Sequence, residues 1–136
     1  MREYVKQAKE FLANCNATMK ITFLGAEINK DWNDNEYRNA YRVTITTPLG
    51  KMQVKFWDSI YNMQHSKQPT EYDILACLQK YDVGTIDDFV SEYGYEVNCW
   101  ADVKRIERIY KAVVNEYNKV KRCFTPEQIE AMWEIQ

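Results

Sequence analysis

AYRVTITTPLGKMQVKFW, residues 40–57, decides the fold. Tyr41, Val43 and Ile45 alternate with Arg42, Thr44 and Thr46, and after Pro48-Leu49-Gly50 the residues Met52, Val54 and Phe56 alternate with Lys51, Gln53, Lys55 and Trp57. A period of two marks a strand with one apolar face. Pro presets a turn dihedral and Gly accepts the left-handed one, so the two runs form a hairpin. Upstream, residues 18–28 (TMKITFLGAEI) alternate in the same way, with Gly25 marking a bulge or bend. The reading is an antiparallel sheet of three strands, one face apolar and one polar. Residues 29–39 (NKDWNDNEYRN) read as a polar loop or hairpin tip.

The period changes on either side of the sheet. Tyr4, Val5, Ala8, Phe11 and Leu12 recur at helical spacing over 2–14. From residue 70 onwards three helix starts share one device. Thr70 with Asp73, Thr85 with Asp88 and Thr125 with Gln128 each place a hydroxyl at the N-cap and an acceptor three residues on. These predict helices over about 70–81, 85–93 and 126–135. Gly94 is the natural stop of the second, and Pro126 fits the first position of the last. Between them Val103, Ile106, Tyr110, Val113, Tyr117, Val120 and Phe124 step by three and four. Such a stripe suits a coiled-coil seam or a long core helix laid across the sheet. The two Tyr and the shortness of the segment favour the core helix, with Ile106 and Val113 in the main helix–sheet contact. Strands followed by helices make an α+β domain: an N-terminal helix, a three-stranded antiparallel sheet, then four helices on one face of it, in a single unit of 136 residues.

Composition sets limits on function. Eighteen basic against twenty acidic residues give a net charge of −2, which disfavours both a strongly basic nucleic-acid binder and an acidic DNA mimic. No apolar run is long enough for a membrane span, and residues 1–16 lack the pattern of a signal peptide. The expectation is a cytoplasmic protein, monomeric or weakly dimeric. Cys15, Cys77, Cys99 and Cys123 form no CxxC pair and His65 is the only histidine. Reduced thiols, with Cys77 in the core, are expected, and no metal or other cofactor. Phosphate-binding and zinc-protease motifs are absent. Asp87, Asp88 and Glu92 resemble a nuclease carboxylate cluster, but Asp88 is already explained as a cap.

Two features point to a partner. Lys104, Arg108, Lys111, Lys119 and Arg122 fall close to one stripe opposite the heptad seam. They would track phosphates, dock on an acidic partner, or form a solvated face with local ion pairs. Trp32 and Tyr37 lie in the polar 29–39 stretch, where a Trp serves as an interface anchor, a stacking platform or a cover for the sheet edge. Lys20, Thr22, Arg42, Thr44, Lys55 and Trp57 should share the outer sheet face. Trp32, Tyr37, Arg108, Lys111 and Arg122 are therefore the candidate partner-binding residues, and no residue is assigned a catalytic role.

Residues 69–95, PTEYDILACLQKYDVGTIDDFVSEYGY, are similar to a segment of small proteins carried by bacteriophages and mobile elements of gut bacteria. The likeness extends more weakly to the helix around Tyr110 and Glu116. It implies an accessory role and brings no catalytic residues with it. On that analogy the chain is a non-enzymatic inhibitor of a bacterial defence protein, such as an anti-CRISPR protein acting on a CRISPR effector nuclease. A nucleic-acid-binding phage accessory protein is the second expectation, and a small metal-dependent nuclease the third.

Overall fold

Thr47 is where the hairpin, the turn and the longest helix meet. Its buried hydroxyl accepts the N–H groups of Leu49 and Gly50 at 3.1 and 3.3 Å and donates to the Cys123 carbonyl at 2.7 Å. The structure, a computed structural model, describes residues 3–28, 36–59 and 68–135. Helix α1 spans Glu3–Asn14, and β1 (Thr18–Ile28), β2 (Tyr37–Thr47) and β3 (Gly50–Ser59) follow. The helices α2 (Glu71–Gln79), α3 (Ile86–Tyr93), α4 (Trp100–Cys123) and α5 (Pro126–Trp133) complete the chain. The sheet is antiparallel in the order β1-β2-β3. The architecture is the expected α+β arrangement.

The bulge falls between Phe23 and Gly25, where Gly25 takes φ 107°. Past it the ladder continues, pairing Ala26 with Asn39 and Ile28 with Tyr37. The strand β2 therefore begins at Tyr37 and not at residue 40, which corrects the placing of residues 37–39 in a polar loop. Polarity misleads there because an inner-face position is held by a polar residue, the fully buried Asn39. All three capping boxes form: each Thr accepts the backbone N–H three residues on, and Asp73, Asp88 and Gln128 accept the N–H of their Thr. Asp serves as well as the longer Gln. Gly94 closes α3 with φ 64°, a left-handed value that a side chain disfavours. Helix α4 starts at Trp100, three residues before the first seam position, with the Asp102 carboxylate accepting the Asn98 N–H.

Two apolar clusters result. The larger gathers Phe11 and Leu12 of α1, Val43 and Ile45 of β2, Met52 and Val54 of β3, Ile74, Leu75 and Leu78 of α2, Val120, Cys123 and Phe124, and Ile129 and Met132 of α5. The smaller holds Val83, Phe89 and Ile106, with Val90, Tyr95, Ile109, Tyr110 and Val113 around it. At 1.5 Å per residue, α4 is about 36 Å long, enough to serve both. Its last turns enter the main core, and its first half carries α3. This corrects the placing of Ile106 and Val113 in the helix–sheet contact. The heptad stripe is continuous in sequence but meets α3 first and the sheet second.

Polar contacts reinforce each cluster from within. Tyr110 donates to the Gly84 carbonyl at 2.6 Å, and Gln79 to the Met132 carbonyl at 2.9 Å. Lys119 lies over the edge of β3, donating to the Gln53 carbonyl at 3.0 Å while pairing with Glu116 at 2.9 Å.

Candidate functional site

Phe124 takes an extended conformation, φ −130° and ψ 145°, which stops α4 and lets Pro126 begin α5 at a corner. In the angle lies a groove of about 680 Å³. Buried Phe124 and Ile129 form its floor, and Tyr117 and the 43 % exposed Trp133 its walls. Lys121 and Glu130 stand on the rim, with the Lys121 ammonium 5.2 Å from the Tyr117 ring centre. Tyr117 stands two turns before Phe124, which follows the last residue of α4, and Ile129 and Trp133 are one turn apart on α5, so each pair lies to one side. Burial, then the Asp82 carboxylate beside it, raises the Tyr117 phenol above its ordinary value, so it remains a neutral donor. The groove offers an apolar floor, an indole wall and one charge of each sign. That suits an apolar side chain of a partner, held by a few polar contacts at its edge.

The candidate partner-binding residues among the described ones do not form one patch. Trp32 lies outside the described residues. Tyr37 is 57 % exposed but belongs to β2, opposite Ile28. Arg108, Lys111 and Arg122 are exposed on α4. Arg122 adjoins Cys123, which Thr47 holds, and Thr47 stands ten residues from Tyr37 along β2, about 33 Å at strand rise. Tyr37 and Arg122 therefore mark opposite ends of the sheet. Arg108 and Lys111 are one turn apart, but Arg122 is about 17 Å further along the helix axis than Lys111. The stripe is also thinner than its sequence suggests, because Lys119 is committed to Glu116 and the β3 backbone.

The outer sheet face holds the expected residues in register. Thr22, Arg42 and Lys55 stand in one row, and Lys20, Thr44 and Gln53 in another. No helix of the main core covers it, but its charges are partly paired. Lys55 donates to Glu27 at 3.1 Å and lies 4.5 Å from the Trp57 ring centre.

Among the cysteines, Cys15 and Cys123 are buried, Cys99 is exposed, and Cys77 is only half-buried, which corrects its placing in the core. All four are free thiols. Burial raises the Cys77 thiol above its ordinary value, partly offset by its contact with the Tyr81 hydroxyl at 3.8 Å. A protonated thiol is a poor nucleophile. Asp88 is spent on the Thr85 cap, and among the described residues no three His, Cys, Asp or Glu side chains gather to hold a metal ion. His65 lies outside the described residues.

Two aromatics at helix ends are exposed. Trp100 is 73 % exposed at the start of α4, and Trp133 turns half its surface outward from an apolar helix side. Apolar residues standing at a helix end, where no neighbour follows, were the signal available. Comparison with protein-family models, with curated proteins and with solved structures finds no match.

Proposed function

We propose that the protein acts by binding another protein, and that the α4–α5 groove anchors the contact. The observation that carries this reading is the groove itself, an open apolar floor flanked by a half-exposed Trp. Indoles concentrate interface energy because they bury a large rigid surface at small entropic cost. The likeness of residues 69–95 to mobile-element proteins supplies the class of partner: a bacterial defence protein in the host cytoplasm, with a CRISPR effector nuclease as the first to test. Among the described residues no helix is long and apolar enough to cross a membrane, in keeping with that setting.

The test is titration of the protein into effector cleavage reactions, paired with co-purification. Stoichiometric inhibition is expected. Trp133→Ala with Lys121→Glu should weaken binding more than tenfold, about 1.4 kcal/mol, at an unchanged circular dichroism spectrum. Inhibition retained in full by that double variant would move the contact off the groove. Direct binding to DNA or RNA that collapses with added salt would instead favour the α4 bases, Lys104, Lys111 and Arg122.

A further inference from the structure

A sheet edge presents backbone N–H and C=O groups that point at no neighbouring strand, and a fold either covers such an edge or uses it. The two edges here differ. β3 is flanked by α4, with the Lys119 ammonium on the Gln53 carbonyl. β1 has β2 on one side, and among the described residues no strand on the other. No residue of β1 is buried, whereas Ala40, Tyr41, Val43 and Ile45 of β2 all are. Phe23, Leu24 and Ile28 are 48, 37 and 36 % exposed.

The sequence of β1 is complementary to itself when reversed. In an antiparallel pairing centred between Phe23 and Leu24, Lys20 opposes Glu27, Thr22 opposes Gly25, Met19 opposes Ile28 and Ile21 opposes Ala26. Opposed residues of an antiparallel pair share a face, so this match has meaning only if each pair does. In a regular strand Lys20 and Glu27, an odd seven positions apart, would face opposite ways. The bulge between Phe23 and Gly25 brings them to one side. Lys20 pairs with Thr44 and Glu27 with Arg38 on the regular strand β2, both on the outer face where Glu27 meets Lys55. Met19, Ile21, Ala26 and Ile28 pair with Ile45, Val43, Asn39 and Tyr37, all on the inner face. Charges therefore oppose charges of the other sign outside, and apolar residues oppose apolar residues inside.

We propose that β1 pairs with β1 of a second copy of this chain, joining the two sheets into one antiparallel sheet of six strands across a two-fold axis between Phe23 and Leu24. The occupant is a second copy because the complementarity is between the strand and itself: the two-fold generates the Lys20–Glu27 contact twice from one patch. The interface is separate from the α4–α5 groove.

Sedimentation equilibrium of the full chain across a range of concentrations tests this. The wild type is expected to dimerise. Lys20→Glu sets carboxylate against carboxylate at both contacts, and Glu27→Lys sets ammonium against ammonium. Each should raise the dimer dissociation constant at least tenfold at an unchanged circular dichroism spectrum. An equimolar mixture of the two variants puts opposite charges back at both contacts and should form a heterodimer within about threefold of wild-type affinity. The double variant Lys20→Glu/Glu27→Lys should do the same as a homodimer. A wild type that stays monomeric to about 200 µM, two to three orders above a micromolar affinity, would overturn the proposal. So would a dimer that neither single variant weakens, or one that neither the mixture nor the double variant restores. If one single variant fails to fold, the other still decides.

Discussion

At the scale of single residues, Thr47 does the work of a joint. One hydroxyl accepts from Leu49 and Gly50 and donates to Cys123, so it ties the hairpin turn to the end of α4. Thr47→Val keeps the shape and the strand preference but leaves a buried carbonyl and a turn N–H without that partner. The expected cost is about 1–3 kcal/mol, read as a lower urea midpoint, with Thr47→Ser recovering most of it. A midpoint unchanged by Val would mean that the turn and α4 are held by other contacts. Buried thiols and Tyr81 together make stability fall in alkali. Burial, then the neighbouring Cys77 and Glu116, raises the Tyr81 phenol far above the ordinary value, and burial also raises the thiols of Cys15, Cys77 and Cys123. In the unfolded chain these groups ionise at about 8.5 for Cys and 10 for Tyr. Above those values the native state holds protons the unfolded state has released, so its stability is full below about pH 8.5 and falls as pH rises. Urea midpoints should therefore drop between pH 8 and 10.5. Tyr81→Phe should flatten the part of the fall beginning near pH 10 and leave the thiol part. An equal fall in both proteins would show that Tyr81 ionises as easily folded as unfolded.

Among the elements, α3 depends most on its ends. It buries Phe89 alone, so the cap at Thr85 and the left-handed Gly94 supply a large share of what holds it. Thr85→Ala removes the acceptor for the Asp88 N–H and should cost about 1 kcal/mol. Amide exchange should speed up in residues 86–93 while β2 and β3 keep their protection, and uniform acceleration would refute a local effect. The same elements show what a sequence can carry. The strands around Pro48-Leu49-Gly50 and the three caps were readable because their signals are local: period, turn chemistry, a hydroxyl three residues before an acceptor. The start of β2 was not, because residues 37–39 are polar and become strand only through pairing with Ala26, Glu27 and Ile28 of another segment. Nor was the groove. Periodicity identifies Trp133 as apolar-side but is silent on how many neighbours cover that side. The engagement of Lys119 was hidden for a related reason, since helical spacing aligns it with the other bases but cannot show that β3 claims it.

For the whole molecule, the question is whether two clusters on one long helix unfold as one. Val120 is buried among the sheet, α1, α2 and α5, and Ile106 against α3 and Val83. An Asp at either place is a buried charge without a partner, which costs several kcal/mol or forces the region open. A small domain has only about 5–15 kcal/mol to lose. At Val120 the loss falls on the cluster that every strand and most helices share, so Val120→Asp should unfold the chain, with loss of far-ultraviolet ellipticity and of the cooperative melt. At Ile106 the cheaper response is local. The second cluster is small and joined to the rest through α4 itself and Tyr117 beside Asp82. Opening it releases α3 and frays the first half of α4 without exposing Val43, Ile45 or Leu75. Ile106→Asp should therefore keep protected amides in β2, β3 and α2, lose them over residues 83–113, and retain a cooperative though lower melt. The groove at the other end of α4 should survive, so partner binding through Trp133 would persist in Ile106→Asp and vanish in Val120→Asp. If amide protection instead disappears throughout both variants, α4 transmits the disruption along its full length and the two clusters form one cooperative unit.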